Sequence, residues 1–162
     1  MPNEARLHLD AGLHFTAETG SGFRLELDSK VGEGALTAPT PMDLQLVALG
    51  GCTGMDVISI LRKMRQDVTA YDLHLTGDRA EDHPRLYTSV LVTHRFRGRD
   101  VGATNVHRAI QLSMDRYCSV FNMLYPGVRI RERYEIADEA GAAVATGDVY
   151  RSKEEPSSSA AV

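Results

Sequence analysis

The sequence has only two cysteines, no surplus of positive charge and no apolar segment flanked like a secretion signal. A formal net charge of −4 argues against nucleic acid as the main partner, because neutralising phosphates requires a basic face. The first residues, Met1-Pro2-Asn3-Glu4, lack the basic start and apolar core of a signal peptide. The longest apolar run contains glycines and Asp56, and we expect it to be too short to cross a bilayer. These absences predict a cytoplasmic protein that binds neither nucleic acid nor membrane.

Signals for a metal or a bound phosphate are missing as well. The six histidines show no metal-ligand spacing with either cysteine, so we expect no metal site. The stretch Gly50–Gly54 lacks the Gly-Lys-Ser/Thr ending of a phosphate-binding loop and lies in an apolar segment. Arg95–Arg99 is better explained as a solvated strand end than as an anion site, given the acidic balance. The sequence therefore predicts no bound cofactor.

The pattern of apolar residues predicts one α+β domain. A chain of 162 residues, 43% of them hydrophobic, can bury a single core, so we predict one domain over 1–150. The charged and then serine- and alanine-rich stretch 151–162 predicts a disordered tail. Three strands come first, followed by a helix over roughly 41–65, two strands, a helix over roughly 104–126 and a last strand. The predicted order is β-β-β-α-β-β-α-β.

The first predicted helix is apolar or small on nearly every side between Leu44 and Ile60. Thr40 suits its N-cap and Pro41 its first helical position. One sheet in a domain of this size covers only one face of such a helix. We therefore expect a second protomer to cover another face, which predicts an obligate homodimer.

The two cysteines are the residues that carry chemistry. Cys52 and Cys118 each fall where a helix is expected to face another helix, and if they meet they form a buried dithiol. One thiolate would then attack a hydroperoxide and become a sulfenic acid, and the second thiol would condense with it to a disulfide. The glycines around Cys52 would allow two helices to approach closely, or would interrupt the first helix there. Free cysteine is also a common packing residue, so a purely structural homodimer stays open on this evidence.

Several segments occur in order between Thr40 and Ile136 and together resemble one known family. They are Pro41-Met42-Asp43-Leu44, Leu46–Gly54 (LVALGGCTG), Met55–Arg65 (MDVISILRKMR), Gly77–Thr88 (GDRAEDHPRLYT) and Tyr117–Val120 (YCSV). This set is similar to the OsmC/Ohr family of osmotically inducible and organic hydroperoxide resistance proteins, and to one of its less characterised branches. The resemblance implies an OsmC-like fold and an intertwined homodimer, with central helices packed against antiparallel sheets and active sites at the interface.

The resemblance also implies roles for particular residues. By motif position, Cys52 is the peroxidatic nucleophile and Cys118 the resolving cysteine. The implied activity is reduction of organic (alkyl or lipid) hydroperoxides, with no cofactor beyond an external dithiol or lipoyl-type reductant. Met42 stands where peroxidase members commonly carry a glutamate, and Asp43 follows it, so Asp43 and Arg24 are candidate supporting residues. This departure leaves a second possibility open, a redox-sensing or small-molecule-binding dimer with little catalytic activity.

Overall fold

The computed structural model describes residues 3–30 and 34–152 of the chain. These residues fall into two compact units, unit 1 up to residue 47 and unit 2 from residue 48 onwards, and the boundary lies within helix α1 (Pro41–Lys63). Most of the predicted tail, residues 153–162, lies outside the described residues.

Unit 1 contains a three-stranded antiparallel sheet. Gly12 and Gly22 occupy turns with positive φ angles of 59° and 85°, a conformation that glycine adopts without a steric penalty. The three N-terminal strands predicted from alternating apolar residues are confirmed, and they pair in sequence order: β1 Ala5–Ala11, β2 His14–Thr19 and β3 Arg24–Leu27.

Thr40 caps helix α1, as the sequence predicts, and Asp43 makes the cap reciprocal. The backbone N–H of Asp43 donates to the Thr40 hydroxyl at 3.2 Å, while the Asp43 carboxylate accepts from the Thr40 N–H at 2.9 Å and from its hydroxyl at 2.7 Å. The helix then runs for 23 residues without interruption at the glycines. It ends at Lys63, two residues earlier than expected, and Arg65 follows in the left-handed region with φ 57°.

Unit 2 contains a four-stranded mixed sheet in sequence order: β4 Asp67–Arg79, β5 Tyr87–Arg99, β6 Arg129–Ala137 and β7 Ala143–Val149. Strands β5 and β6 are parallel and the other two pairs are antiparallel. A parallel pair needs a long crossover, and the helical segment between β5 and β6 provides it. Strand β7 was not predicted, because this short edge strand of small residues carries no apolar alternation.

The glycines of α1 bring the helix close to the sheet of unit 2. A Cβ atom at Gly50 would lie 2.8 Å from Leu75 Cδ1, and one at Gly54 would lie 2.8 Å from Leu73 Cδ1, both on β4. Contacts this short do not occur between real side chains. Gly50 and Gly54 therefore serve the approach of α1 to a sheet, and not the helix–helix approach that the sequence predicted.

The second predicted helix is broken at Cys118. Helix α2 (Ala103–Leu112) continues into a π-turn (Ser113–Tyr117), and helix α3 (Ser119–Leu124) follows. The wider π-turn shifts the helical phase, so Cys118 is fully buried whereas the neighbouring Tyr117 is 53% exposed. Cys118 itself has an extended backbone, with φ −69° and ψ 100°, and caps α3.

By length and composition, α1 could cross a membrane. Its apolar window of 18 residues has a mean hydropathy of 1.6, and 33% of that window is buried. The expectation that this run is too short to span was therefore wrong on length. One such helix is weak evidence for a membrane span, because the core helices of soluble proteins share these properties.

Candidate functional site

The structure brings the two cysteines of unit 2 together. Cys52 lies in the middle of α1 and is partly accessible, whereas Cys118 is fully buried at the start of α3. Both are free thiols, and their sulfur atoms lie within 4.8 Å of each other. The break in the second helix makes this contact possible, because it turns Cys118 towards the core.

Asp56 completes the group that we call the thiol cluster, formed by Cys52, Asp56, Ser113 and Cys118. Asp56 follows Cys52 by one helical turn on α1, so both side chains lie on one face of the helix. The two sulfur atoms and a carboxylate oxygen of Asp56 all lie within 4.8 Å of one another. Two nucleophilic groups and one acid–base group therefore share a small volume.

Hydroxyl groups fix the orientation of the carboxylate. The Ser113 hydroxyl, on the π-turn, donates to Asp56 Oδ2 at 3.1 Å. The Thr53 and Ser113 hydroxyl oxygens lie 3.2 Å apart in the buried space between α1 and the π-turn. This chain of hydrogen bonds links the two elements that carry the cysteines and so restricts their relative movement.

The surroundings of Cys118 favour its neutral thiol. Burial, followed by the interaction with the neighbouring Cys52 thiol, raises the pKa of Cys118 to about 12. The charges of Cys52 and Asp56 act in the same direction. The backbone N–H of Phe121 donates to Cys118 Sγ at 3.3 Å and lowers the pKa, but it does not offset the burial. Cys118 is therefore protonated at neutral pH.

The end of the described chain packs against the segment that carries Cys118. The Arg151 guanidinium lies 4.9 Å from the ring centroid of Tyr125, and its Nε lies 3.5 Å from a carboxylate oxygen of Asp115. Ser152 donates to the same carboxylate from its backbone and its hydroxyl. We call Asp115, Tyr125, Arg151 and Ser152 the C-terminal clasp, and it fastens the π-turn and α3 from outside.

A second polar group lies between α1 and the sheet. Tyr71 Oη is 2.7 Å from His94 Nδ1, and His94 Nε2 is 2.9 Å from Glu132 Oε2. We call these residues the buried triad, since His94 and Glu132 have no exposed side-chain surface. Burial and the charge of Glu132 raise the pKa of the Tyr71 phenol. Glu132 Oε1 has no hydrogen-bond partner among the described residues.

The two candidate supporting residues lie in unit 1. Arg24 is exposed on β3, and the carboxylate of Asp43 accepts the hydrogen bonds from Thr40 that cap α1. Their suggested roles beside Cys52 stay predictions.

Sequence reasoning missed the polar partners of the thiols. Asp56 was noted only as an interruption of an apolar helix, and its spacing of four residues from Cys52 was the signal that could have placed it in the site. Ser113 gave no such signal, because its position depends on the π-turn. Glu132 interrupts the apolar face of one strand, and His94 lies on the apolar face of another. Two polar residues on apolar strand faces are typical of a buried pair.

The fold and its paired thiols define an α+β protein with a dithiol in the core. A sequence profile of the family described as OsmC-like protein matches residues 32–133. The chain is 41% identical over 133 residues to Protein YhfA of Escherichia coli K12, covering 82% of this chain and 97% of that protein. On these matches, the chain belongs to the OsmC-like family.

Solved structures agree with this fold. A crystal structure of a hypothetical protein from Aquifex aeolicus has a TM-score of 0.75 at 32% identity and covers 86% of this chain and 98% of its own. The organic hydroperoxide resistance protein OhrB of Bacillus subtilis has a TM-score of 0.58 at 12% identity, over 83% of this chain and 98% of its own, which shows a shared fold alone. The predicted family and fold class are confirmed.

Proposed function

We propose that this protein is a thiol peroxidase that reduces organic hydroperoxides, with Cys52 as the attacking cysteine and Cys118 as the resolving one. The observation that carries this proposal is the contact between two free thiols, whose sulfur atoms lie within 4.8 Å of each other. The difference in accessibility supports the order of the roles. Cys52 is partly accessible to a substrate, whereas fully buried Cys118 can react only with its neighbour.

The reaction follows from the chemistry of the pair. The Cys52 thiolate attacks the terminal oxygen of the hydroperoxide, the O–O bond breaks, and the alkoxide takes a proton and leaves as an alcohol. The Cys118 thiolate then attacks the sulfur of the Cys52 sulfenic acid, and the hydroxyl leaves as water. An external dithiol or lipoyl-type reductant restores both thiols by disulfide exchange.

A surface groove at Asp56 supports the proposal that the substrate is an organic hydroperoxide. It has a volume of about 290 Å³ and borders the thiol cluster. Apolar side chains form part of its wall, and burying an alkyl chain there would contribute about 25 cal/mol per Å². The groove is lined by Asp56, Ser59, Ile60, Lys63, Leu112 and Tyr117.

The proposal includes an obligate homodimer in the cytoplasm, with a single domain over 1–150. Support comes from α1, because Met55 is 72% exposed in the single chain and most of the apolar window is not buried. A second copy would cover this face and shield the groove from water. Light scattering after size exclusion should therefore give the mass of two chains at micromolar concentration, and a monomer there would contradict the dimer.

Steady-state kinetics with cumene hydroperoxide and a dithiol test the function. Cys52→Ser should reduce turnover to background, because no other thiol can reach the substrate. Cys118→Ser should stop at the sulfenic acid, which a sulfenic-acid-specific probe would label at Cys52. The two variants serve as controls for each other, since each removes one of the paired thiols. Peroxidase activity in Cys52→Ser would show that the assignment is wrong.

A redox-sensing or small-molecule-binding dimer is the second candidate. The raised pKa of Cys118 favours it, because a protonated resolving thiol forms the disulfide slowly. A sensor would be oxidised once by peroxide and would show little turnover with any dithiol. A peroxidase would turn over repeatedly, so the same kinetics separate the two candidates.

A further inference from the structure

The thiol cluster holds three potential metal donors from two separate elements. Cys52 and Asp56 project from one face of α1, and Cys118 reaches them from the start of α3. The two sulfur atoms and the carboxylate oxygen all lie within 4.8 Å of one another. Sulfur ligands of a tetrahedral zinc ion are about 3.8 Å apart, given zinc–sulfur bonds of about 2.3 Å. The donors would need to contract by only about 1 Å.

No member of the cluster is positively charged, and Lys63, which lines the same groove as Asp56, forms no ion pair with it within 4.0 Å. No ion pair reaches Asp56 among the residues that the structure describes, and its only hydrogen bond there comes from the Ser113 hydroxyl. Cys118 is fully buried, and its sulfur lies within 4.8 Å of a carboxylate oxygen of Asp56. Three groups that become anionic in so small a space repel one another, and a divalent cation would convert that repulsion into attraction.

The hydrogen bonds around the donors are those of a metal site. Ser113 holds the carboxylate of Asp56 at 3.1 Å, and the Phe121 N–H holds the Cys118 sulfur at 3.3 Å. Outer-shell donors of this kind orient metal ligands and stabilise their anionic forms. Thr53 extends the arrangement by its contact with Ser113 at 3.2 Å. Two of the three donors, Asp56 and Cys118, are thus held in place by hydrogen bonds.

We propose that Cys52, Cys118 and Asp56 bind a thiophilic divalent cation such as Zn²⁺ or Cd²⁺, with a fourth position left to water. Binding exchanges two thiol protons, which leave to solvent, for two metal–sulfur bonds, and no electron is transferred. The metal-bound thiolates cannot at the same time form a disulfide. Within the proposed function, the cation therefore protects the reduced pair from peroxide. The prediction that no metal binds was based on the spacing of the histidines and cysteines, and it left out Asp56.

A titration of the reduced, metal-free protein with Cd²⁺ under anaerobic conditions tests the site. We expect one Cd²⁺ per chain, an ultraviolet thiolate-to-metal charge-transfer band and release of two protons per ion. Cys52→Ser or Cys118→Ser should remove most of the band. Asp56→Asn should weaken binding by about tenfold or more while the band survives, because two sulfur ligands remain.

Asp78→Asn is the matched control. Asp78 also accepts a serine hydroxyl, from Ser89 at 2.7 Å, but it lies exposed on β4. It should bind Cd²⁺ like the wild type. Absence of the band in the wild type, or equal binding by Asp56→Asn and the wild type, would overturn the three-donor site. The readout does not depend on peroxide turnover, so an inactive protein that binds Cd²⁺ would refute only the peroxidase proposal.

Discussion

The thiol cluster and the buried triad are two polar groups in the same unit, and they differ in the partners of their carboxylates. In the buried triad, the Glu132 carboxylate meets the His94 ring at 2.9 Å, and His94 in turn meets Tyr71. In the thiol cluster, the Asp56 carboxylate meets a hydroxyl and two thiols, none of which carries a positive charge.

The two groups also differ in accessibility. His94 and Glu132 have no exposed side-chain surface, whereas Cys52 and Asp56 are partly accessible and a groove borders Asp56. Removing one member of such a closed group leaves its partner buried and unpaired, which destabilises the fold. A group that solvent can reach, and whose carboxylate has no positively charged partner, can interact with incoming substrates and ions. We therefore expect the buried triad to affect stability and the thiol cluster to carry the chemical reaction. The following variants test these two roles.

Breaking the buried triad should have the largest effect of these variants, and the effect should be a loss of folding stability. Glu132→Ala leaves His94 buried without its partner, so we expect the free energy of unfolding to fall by about 3–5 kcal/mol. Chemical denaturation measures this loss. Glu135→Ala, which removes the exposed partner of Arg95, is the control and should cost less than about 1 kcal/mol. A loss as small as that of the control would remove the structural role of the buried triad.

The pH dependence of disulfide formation tests the other group. Burial is the main cause of the raised pKa of Cys118, and burial persists after Cys52 has been oxidised. Below the raised pKa of about 12, the thiolate fraction grows about tenfold with each pH unit. Conversion of the sulfenic acid to the disulfide should therefore accelerate by about that factor per unit between neutral and mildly alkaline pH. Stopped-flow fluorescence or quenched mass spectrometry follows it, and a flat profile would contradict the raised pKa.

Removing the C-terminal clasp should have a smaller effect. Arg151→Ala deletes the contact with Tyr125 and the ion pair with Asp115, which together are worth about 1 kcal/mol at a partly exposed site. We expect a matching loss of stability and faster alkylation of Cys118, because α3 is held less firmly. Arg99→Ala, which breaks an exposed pair with Glu139, should leave the alkylation rate unchanged. Equal rates in the two variants would mean that the clasp does not restrain Cys118.

Neutralising Asp56 should have the smallest effect on the thiol reaction. Asp56 is the last of the causes that raise the pKa of Cys118, so Asp56→Asn should accelerate disulfide formation at neutral pH by only about twofold. The asparagine oxygen can still accept from Ser113, which limits any structural disturbance. A slower reaction in this variant would indicate that the carboxylate takes part in proton transfer.

Local patterns in the sequence predict most of the fold. Thr40 and Pro41 mark the start of α1 because helix capping depends on neighbours in the chain, and the alternating residues of β5 mark a buried strand face. Strand β7 was not predicted because the small residues of this edge strand show no alternation of apolar and polar side chains. The break in the helix at Cys118 was not predicted because a π-turn depends on the packing around it. No residue type in the sequence indicates a π-turn.

The candidate site was predictable only in part. The motifs around Cys52 and Cys118 pointed to both cysteines, and their spatial contact then appeared in the fold. The hydrogen bonds of Asp56 depend on Ser113, which lies 57 residues away in sequence. Long-range polar contacts of this kind leave no period in the sequence, so only the folded chain shows them.

Intact mass spectrometry before and after one equivalent of cumene hydroperoxide, with a chelator present, tests the central claim most directly. The account predicts that the wild type loses the mass of two hydrogen atoms and that a peptide pair linked through Cys52 and Cys118 appears. A folded, reduced protein that keeps its mass, or that gains oxygen without losing hydrogen, would contradict the account.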